Sequence, residues 1–400
     1  MTGDRPLTLM LVCGEPSGDL LGAQLMMRLK SLAGSGLAFS GVGGPAMTGE
    51  GLQSLFPIDV TAVMGFGEVI PRIPEILRRI RYAADFALNT RPDALVCIDS
   101  PDFTHRIAQR VRRSDPSIAT VNYVAPQVWA SRGYRAKKMA RYFDLVLALL
   151  PFEAQFFQTH GLHARFVGHP VVERRARIRG GAELRQRLGI APEAPLLALL
   201  PGSRFSEIRP LLPIFRDTVE RVRQDVPDLV CLLPTMPHIA AAVRQLSAAW
   251  PVPLHIMEDE PDKFAALGTA DAALAASGTV TTELALAGVP MVVAYKVGAI
   301  SHAVAKAIVR VPHVSIVNLL LGREAVPEFL QTRCRPELLS SAVVPLFRDQ
   351  AYREQQKHDL REAVHLLGVD DEPPSLRAAR VLLDFVQQRR SAAQRSSSGT

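Results

Sequence analysis

Short apolar runs alternate along most of the chain with stretches whose apolar residues recur every three or four positions. This is the rhythm of parallel βαβ units and not of an all-β sandwich. In the first half it predicts strands at 7–13, 37–42, 94–98, 118–124, 144–149 and 164–167, closed in turn by Gly14, Gly43, Asp99, Ala125-Pro126, Pro151 and Gly168. The rhythm restarts at 196–200 and continues at 229–233, 252–256, 271–275, 290–294 and 314–318. The expected fold is therefore α/β, with two Rossmann-like doubly wound units in tandem. Between them, 171–195 is Arg-rich and broken by Gly180-Gly181 and two prolines, which places a hinge there. Only helical periodicity follows residue 336. The expected division is 1–170, 171–345, helices at 346–388 packing back on the first unit, and a disordered polar tail at 389–400.

Composition narrows the class. A chain of 400 residues, 48% of them hydrophobic, can bury a large core and divides by size into about two domains. The first apolar run is too short for the core of a secretion signal, and no run reaches the ~18 residues of a spanning helix, so a cytoplasmic location is expected. The four cysteines, Cys13, Cys97, Cys231 and Cys334, are far apart and lie mostly in apolar runs, which reads as reduced core residues. The ten histidines form no His-Glu-x-x-His pattern, and no metal or other cofactor is expected. A formal charge of +7 favours an anionic partner. No aromatic-basic motif supports nucleic acid.

In open α/β sheets ligands bind beyond the carboxyl ends of the strands, so the turns listed above are where chemistry should gather. Gly14-Glu15-Pro16-Ser17-Gly18-Asp19 follows the first strand; its glycines allow close backbone approach, and Ser17 or Asp19 can cap the next helix. Asp99-Ser100-Pro101-Asp102 ends a strand. Asp99 there can accept a proton from an attacking hydroxyl, or both acids can cap the helix that follows, Asp102 the better placed to do so. Gly202-Ser203-Arg204, with Glu207, opens the second unit with N–H groups and a guanidinium suited to a diphosphate. Ser277-Gly278-Thr279 starts a helix whose N-terminus favours negative charge, and Glu283, one turn in, can accept both hydroxyls of a ribose. The acidic run Glu258–Asp262 reads as a solvated loop. In 64–80, Phe66, Val69, Ile70, Ile73, Ile76 and Leu77 recur at helical spacing among arginines, the pattern of a core-facing helix or of one lying on a membrane surface.

Together with Gly41-Val-Gly-Gly-Pro45, Asn122-Tyr-Val-Ala-Pro-Gln-Val-Trp129, Leu149-Leu-Pro-Phe-Glu153, Phe166-Val-Gly-His-Pro170 and Val314–Arg323, these motifs resemble, in order, those of the lipid-A-disaccharide synthase family of glycosyltransferases over about 7–388. The resemblance implies a GT-B type fold of two facing lobes. It also implies transfer of 2,3-diacylglucosamine from UDP to the 6-hydroxyl of 2,3-diacylglucosamine 1-phosphate, with inversion and without a metal. Asp99 matches the family's proposed base, and Arg204, Glu283 and Asn318 match its UDP lobe. Glu15, Ser17 and Asp19 match its glycine-rich first turn. Docking on the cytoplasmic face of the inner membrane through 64–80, and a homodimer with exchanged C-terminal segments, are implied as well. Asn122 and Ser131 depart from the family pattern and bear on acceptor or acyl preference. Rival readings are a UDP-N-acetylglucosamine 2-epimerase, which needs no second sugar, and a non-catalytic sugar-nucleotide binder.

Overall fold

The computed structural model describes residues 5–34, 36–58, 73–128, 133–178, 181–296 and 312–398. The chain forms two compact units, Met1–Pro170 with Asp370–Thr400, and Val171–Val369. Each is built on one sheet whose described strand pairs all run parallel.

The first sheet holds β1 (Leu7–Cys13), β2 (Leu37–Val42), β3 (Gln53–Ser54), β4 (Ala94–Ile98), β5 (Ala119–Tyr123), β6 (Leu145–Ala148) and β7 (Ala164–Phe166), in the order 3-2-1-4-5-6-7. Strands β4, β5 and β6 are buried at every position because helices cover both faces, which is why they read as unbroken apolar runs. The order reverses between β1 and β4, and Cys13 lies opposite Ile98, so the turns after these strands are neighbours.

The second sheet holds β8 (Leu196–Leu200), β9 (Val230–Pro234), β10 (Leu254–Met257), β11 (Ala272–Ala276), β12 (Met291–Tyr295) and β13 (Glu328–Leu330), in the order 10-9-8-11-12-13. Here the reversal falls between β8 and β11, with Leu200 opposite Ala275.

Four expectations are corrected. The run 314–318 is not a strand: Ser315 caps the helix Ile316–Leu321 by accepting the Asn318 N–H, and the last strand comes later, at β13. A short apolar run does not distinguish a buried strand from a buried helix, and here the cap decides. The helix Gln350–Leu366 stays with the second unit, because Leu360, Ala363 and Val364 fill its core. Only Pro374–Ser398 joins the first unit, where Ala378, Ala379, Leu382, Leu383 and Val386 complete the core. That helix continues through most of the expected tail, whose Ala, Gln and Arg are good helix formers. Finally, the acidic run Glu258–Asp262 leads into the helix Glu260–Thr269, where acids in the first turn complement the dipole.

Candidate active site

Both switch points carry the residues singled out from sequence. In the first unit, Gly18 in the first turn of the helix Pro16–Ala33 lies hard against the sheet: a Cβ on it would lie 3.0 Å from Cys13 Cβ and 3.3 Å from the Ile98 carbonyl oxygen. This close approach brings the Ser17 hydroxyl within 3.3 Å of Asp99 Oδ2, to which it donates. Asp99 is half-buried, Ser17 is exposed, and Glu15, half-buried, is the N-cap residue of that helix. No side chain caps it, contrary to the expectation for Ser17 or Asp19. Asp19 is buried and faces elsewhere: its carboxylate accepts the N–H groups of Gly44, Ala46 and Met47 at distances of 2.8, 2.9 and 3.0 Å, and so caps the helix Pro45–Gly49. Those three bonds commit it to structure. Asp102 is exposed in the first turn of the helix Pro101–Ser114, where the N-cap is Ser100 and no side chain makes the capping bond.

Two further titratable groups of the first unit are held neutral. Burial, with Asp19 beside it, pushes the Cys13 thiol up to about 12, so it offers no thiolate at neutral pH. Burial also lowers His105 to about 4; its Nδ1 lies 3.2 Å from the Tyr142 hydroxyl and its Nε2 3.4 Å from Asn122 Nδ2. The Asn122 departure is thus a fully buried partner of His105. Ser131 lies outside the described residues.

In the second unit a cavity of about 540 Å³ is lined by Gly202, Ser203, Arg204, Glu207, Ser277, Gly278, Thr279 and Glu283. Gly202 has φ +117°, and a Cβ there would stand 2.3 Å from Glu207 Oε2, so the turn is built for glycine. Glu207 folds back to accept the Ser203 N–H at 3.0 Å. Arg204, 59% exposed, keeps its guanidinium 3.8 Å from Glu207, a loose pairing that leaves it able to take an anion. The helix Thr279–Ala287 starts at Gly278 with no side-chain cap, and Gly278, Thr279 and Val280 at its start line the cavity wall, where N–H groups of a helix N-terminus favour negative charge. The Ser277 hydroxyl donates to the Val314 carbonyl at 3.1 Å.

Glu283 is 2% exposed and sits between two cations, Arg174 Nη1 at 2.5 Å and Lys263 Nζ at 2.6 Å. Both line the same cavity, together with Tyr295 at the end of β12. The Tyr295 phenol is raised by partial burial and by Glu207, with Arg204 acting in the opposite sense. Sequence reading missed Arg174 and Lys263, since one sits in the Arg-rich linker and the other behind the acidic run, where charge passes for solvated surface. Asn318 does not line the cavity. Its Oδ1 accepts the N–H groups of Ala325 and Val326, and its Nδ2 donates to the Val326 carbonyl and to Glu328. Glu328 also accepts the N–H groups of Val314 and Ser315. Asn318 therefore acts on the cavity indirectly, by fixing the segment whose Val314 carbonyl holds Ser277. Among the described residues no three His, Cys, Asp or Glu side chains gather as a metal site, and no helix is long and apolar enough to cross a membrane.

Two doubly wound units in tandem, each with its loops at a switch point, define the GT-B class of fold. Solved structures agree: the S. aureus MnaA-UDP co-structure matches with a TM-score of 0.62 at 12% identity, over 95% of this chain and 96% of that one. The calicheamicin glycosyltransferase CalG4 matches at 0.60 and 15% identity, over 96% and 99%. The sequence profile of the lipid-A-disaccharide synthetase family matches residues 9–377. Relatives bearing the name lipid-A-disaccharide synthase include one from Rhodospirillum centenum, 45% identical over 96% of both chains. Another, from Rhodopseudomonas palustris strain CGA009, is 46% identical over 96% of this chain and 98% of its own. The chain belongs to the lipid-A-disaccharide synthetase family.

Proposed function

We propose that the chain condenses UDP-2,3-diacylglucosamine with 2,3-diacylglucosamine 1-phosphate, giving the β-1,6-linked disaccharide 1-phosphate and UDP. Family membership along nearly the whole chain is the observation that carries this: the protein is a glycosyltransferase that forms the lipid A disaccharide. The geometry supports a division of labour. Asp99, with Ser17 beside it, takes the proton of the acceptor 6-hydroxyl as that oxygen attacks the anomeric carbon. The bond to the diphosphate breaks on the opposite face, so configuration inverts in one displacement. Charge developing on UDP is met by the uncapped start of the helix Thr279–Ala287 and by Arg204, donors already in place before the reaction. Glu283, fixed by its two cations, keeps lone pairs for ribose hydroxyls.

Both substrates carry acyl chains, so the enzyme works at the cytoplasmic face of the inner membrane. Ile73 and Leu77 are each 44% exposed on a helix, Ile73–Thr90, that also bears the exposed Arg78 and Arg81 and the half-buried Arg79, with Arg78 and Arg79 both paired to Glu75. Such a pairing of exposed apolar and basic side chains suits an anionic lipid surface. Ile76 packs on the core instead, and Phe66, Val69 and Ile70 lie outside the described residues. A homodimer with exchanged C-terminal segments is part of the same reading, with Pro374–Ser398 as the exchanged element; light scattering across a dilution series tests it.

UDP release measured with and without the 1-phosphate acceptor tests the reaction. Acceptor-dependent UDP together with disaccharide is expected. Release that ignores the acceptor would sink the proposal in favour of hydrolysis or epimerisation.

A further inference from the structure

The turn that presents Asp99 is held in a conformation its residues do not favour. Asp99 has φ +53° and Ser100 φ +44°, and Val124, just beyond β5, has φ +68°. None is glycine. Left-handed backbone costs a non-glycine residue roughly 1–3 kcal/mol, most for a β-branched one, and persists only where surrounding bonds impose it. Three such residues at the ends of two adjacent strands, one of them the acid of the site, mark a backbone shaped for placement of a side chain.

Around Asp99 and Ser100 the side-chain bonds to the backbone come from Thr104, which is fully buried. Its hydroxyl lies 2.7 Å from the Asp99 carbonyl and 3.1 Å from that of Ser100. A threonine inside a helix ordinarily bonds back three or four residues, within the helix. Thr104 reaches one residue further and leaves the helix to hold Asp99 itself. On the other side the Asp99 N–H donates to the Tyr123 carbonyl at 3.0 Å, and the Ser100 carbonyl also accepts the N–H groups of Phe103 and Thr104 at 3.0 and 2.9 Å. Without the hydroxyl, the Asp99 carbonyl loses this donor and the residue can relax toward extended backbone, which swings the carboxylate away.

We propose that Thr104 is a positioning residue for the reaction, acting through the backbone of Asp99 and touching no substrate. This rests on Asp99 being the base. Thr104→Val keeps the shape and removes the hydroxyl. It should lower kcat by roughly 10- to 100-fold, the scale of a misplacement of about 1 Å, while KM for both sugars stays within about two-fold. Thr104→Ser, which restores the hydroxyl, should recover most of the loss. In an Asp99→Ala background Thr104→Val should add nothing, since the two residues act as one unit. If the Val variant does not fold, Thr104→Ala reads the same quantities. Wild-type kcat in a folded variant lacking the hydroxyl, or a loss that multiplies with that of Asp99→Ala, overturns the inference. A fully active Asp99→Ala protein instead removes the base assignment, and this inference with it.

Discussion

The two units share a sheet topology and both place their motifs at the switch point, yet the surfaces they build there differ in kind. At the first, the half-buried carboxylate of Asp99 stands on a left-handed turn, a neutral His105 pairs with Asn122 on the neighbouring elements, and another acid, Asp19, is spent on structure. At the second, a cavity is ringed by Arg174, Arg204 and Lys263, and the uncapped start of a helix faces it. Among the described residues the first edge presents carboxylates and the Ser17 hydroxyl, whereas the second sets three cations around its carboxylates Glu207 and Glu283. One architecture thus carries two different sets of groups, and the difference lies in a few side chains per strand end; the proposed function assigns proton transfer to the first and UDP binding to the second.

The sharpest way to break this contrast is at its first member. Asp99→Ala should cut acceptor-dependent UDP release by roughly 100-fold or more, the scale expected for losing a general base, with UDP affinity unchanged by calorimetry. Retained turnover in a folded variant would move the base elsewhere, with the half-buried Glu15 of the first turn the acid to examine next.

At the second unit the expected effect is on binding and stability together. Glu283→Ala leaves Arg174 and Lys263 without their carboxylate in a partly buried wall. Removing one member of a buried charge cluster costs about 3 kcal/mol, here tempered because both cations can reach water. Denaturant unfolding should show that loss along with weaker UDP binding. An unchanged midpoint would mean the triad contributes nothing net.

His105 gives the first unit a pH dependence that the cavity of the second does not share. Its folded value, about 4, lies below the ordinary 6.5, so as pH falls the unfolded chain takes the proton first. Stability is then present near neutrality and drains away between about pH 6.5 and 4, by on the order of 3 kcal/mol if the full difference is realised. A His105→Gln variant should lack that component. Parallel urea midpoints for the two proteins across this range would rule it out.

How far the sequence anticipates this contrast depends on the scale asked about. Strands such as Ala94–Ile98 and Leu196–Leu200 are legible because burial on both faces demands unbroken apolar runs. β3 is two residues long and leaves no such trace. Within the sites, residues at strand ends were found because topology puts ligands there. Arg174 and Lys263 were not, because pairing with Glu283 depends on chain crossings 109 and, in Lys263's case, 20 positions apart, which charge patterning does not reveal. The left-handed Asp99 was equally hidden, since glycine is the one strong sequence signal for such backbone and Asp only a weak one.

The smallest expected effect on the fold concerns the helix Ile73–Thr90. Its buried side, Ile80, Ala83, Ala84 and Ala87, belongs to the core, while Ile73 and Leu77 project one turn apart into solvent. Replacing both with Ser should change stability by no more than about 0.5 kcal/mol, as for surface positions generally. If these residues touch lipid, the same change should weaken sedimentation with anionic phospholipid vesicles, and raised salt should weaken it further because Arg78, Arg79 and Arg81 share the helix. Activity on short-chain, micelle-free substrates should stay near wild type while activity on vesicle-embedded substrate falls. Equal loss on both would assign the pair to the site itself, and no loss on either would leave the helix a plain solvent face.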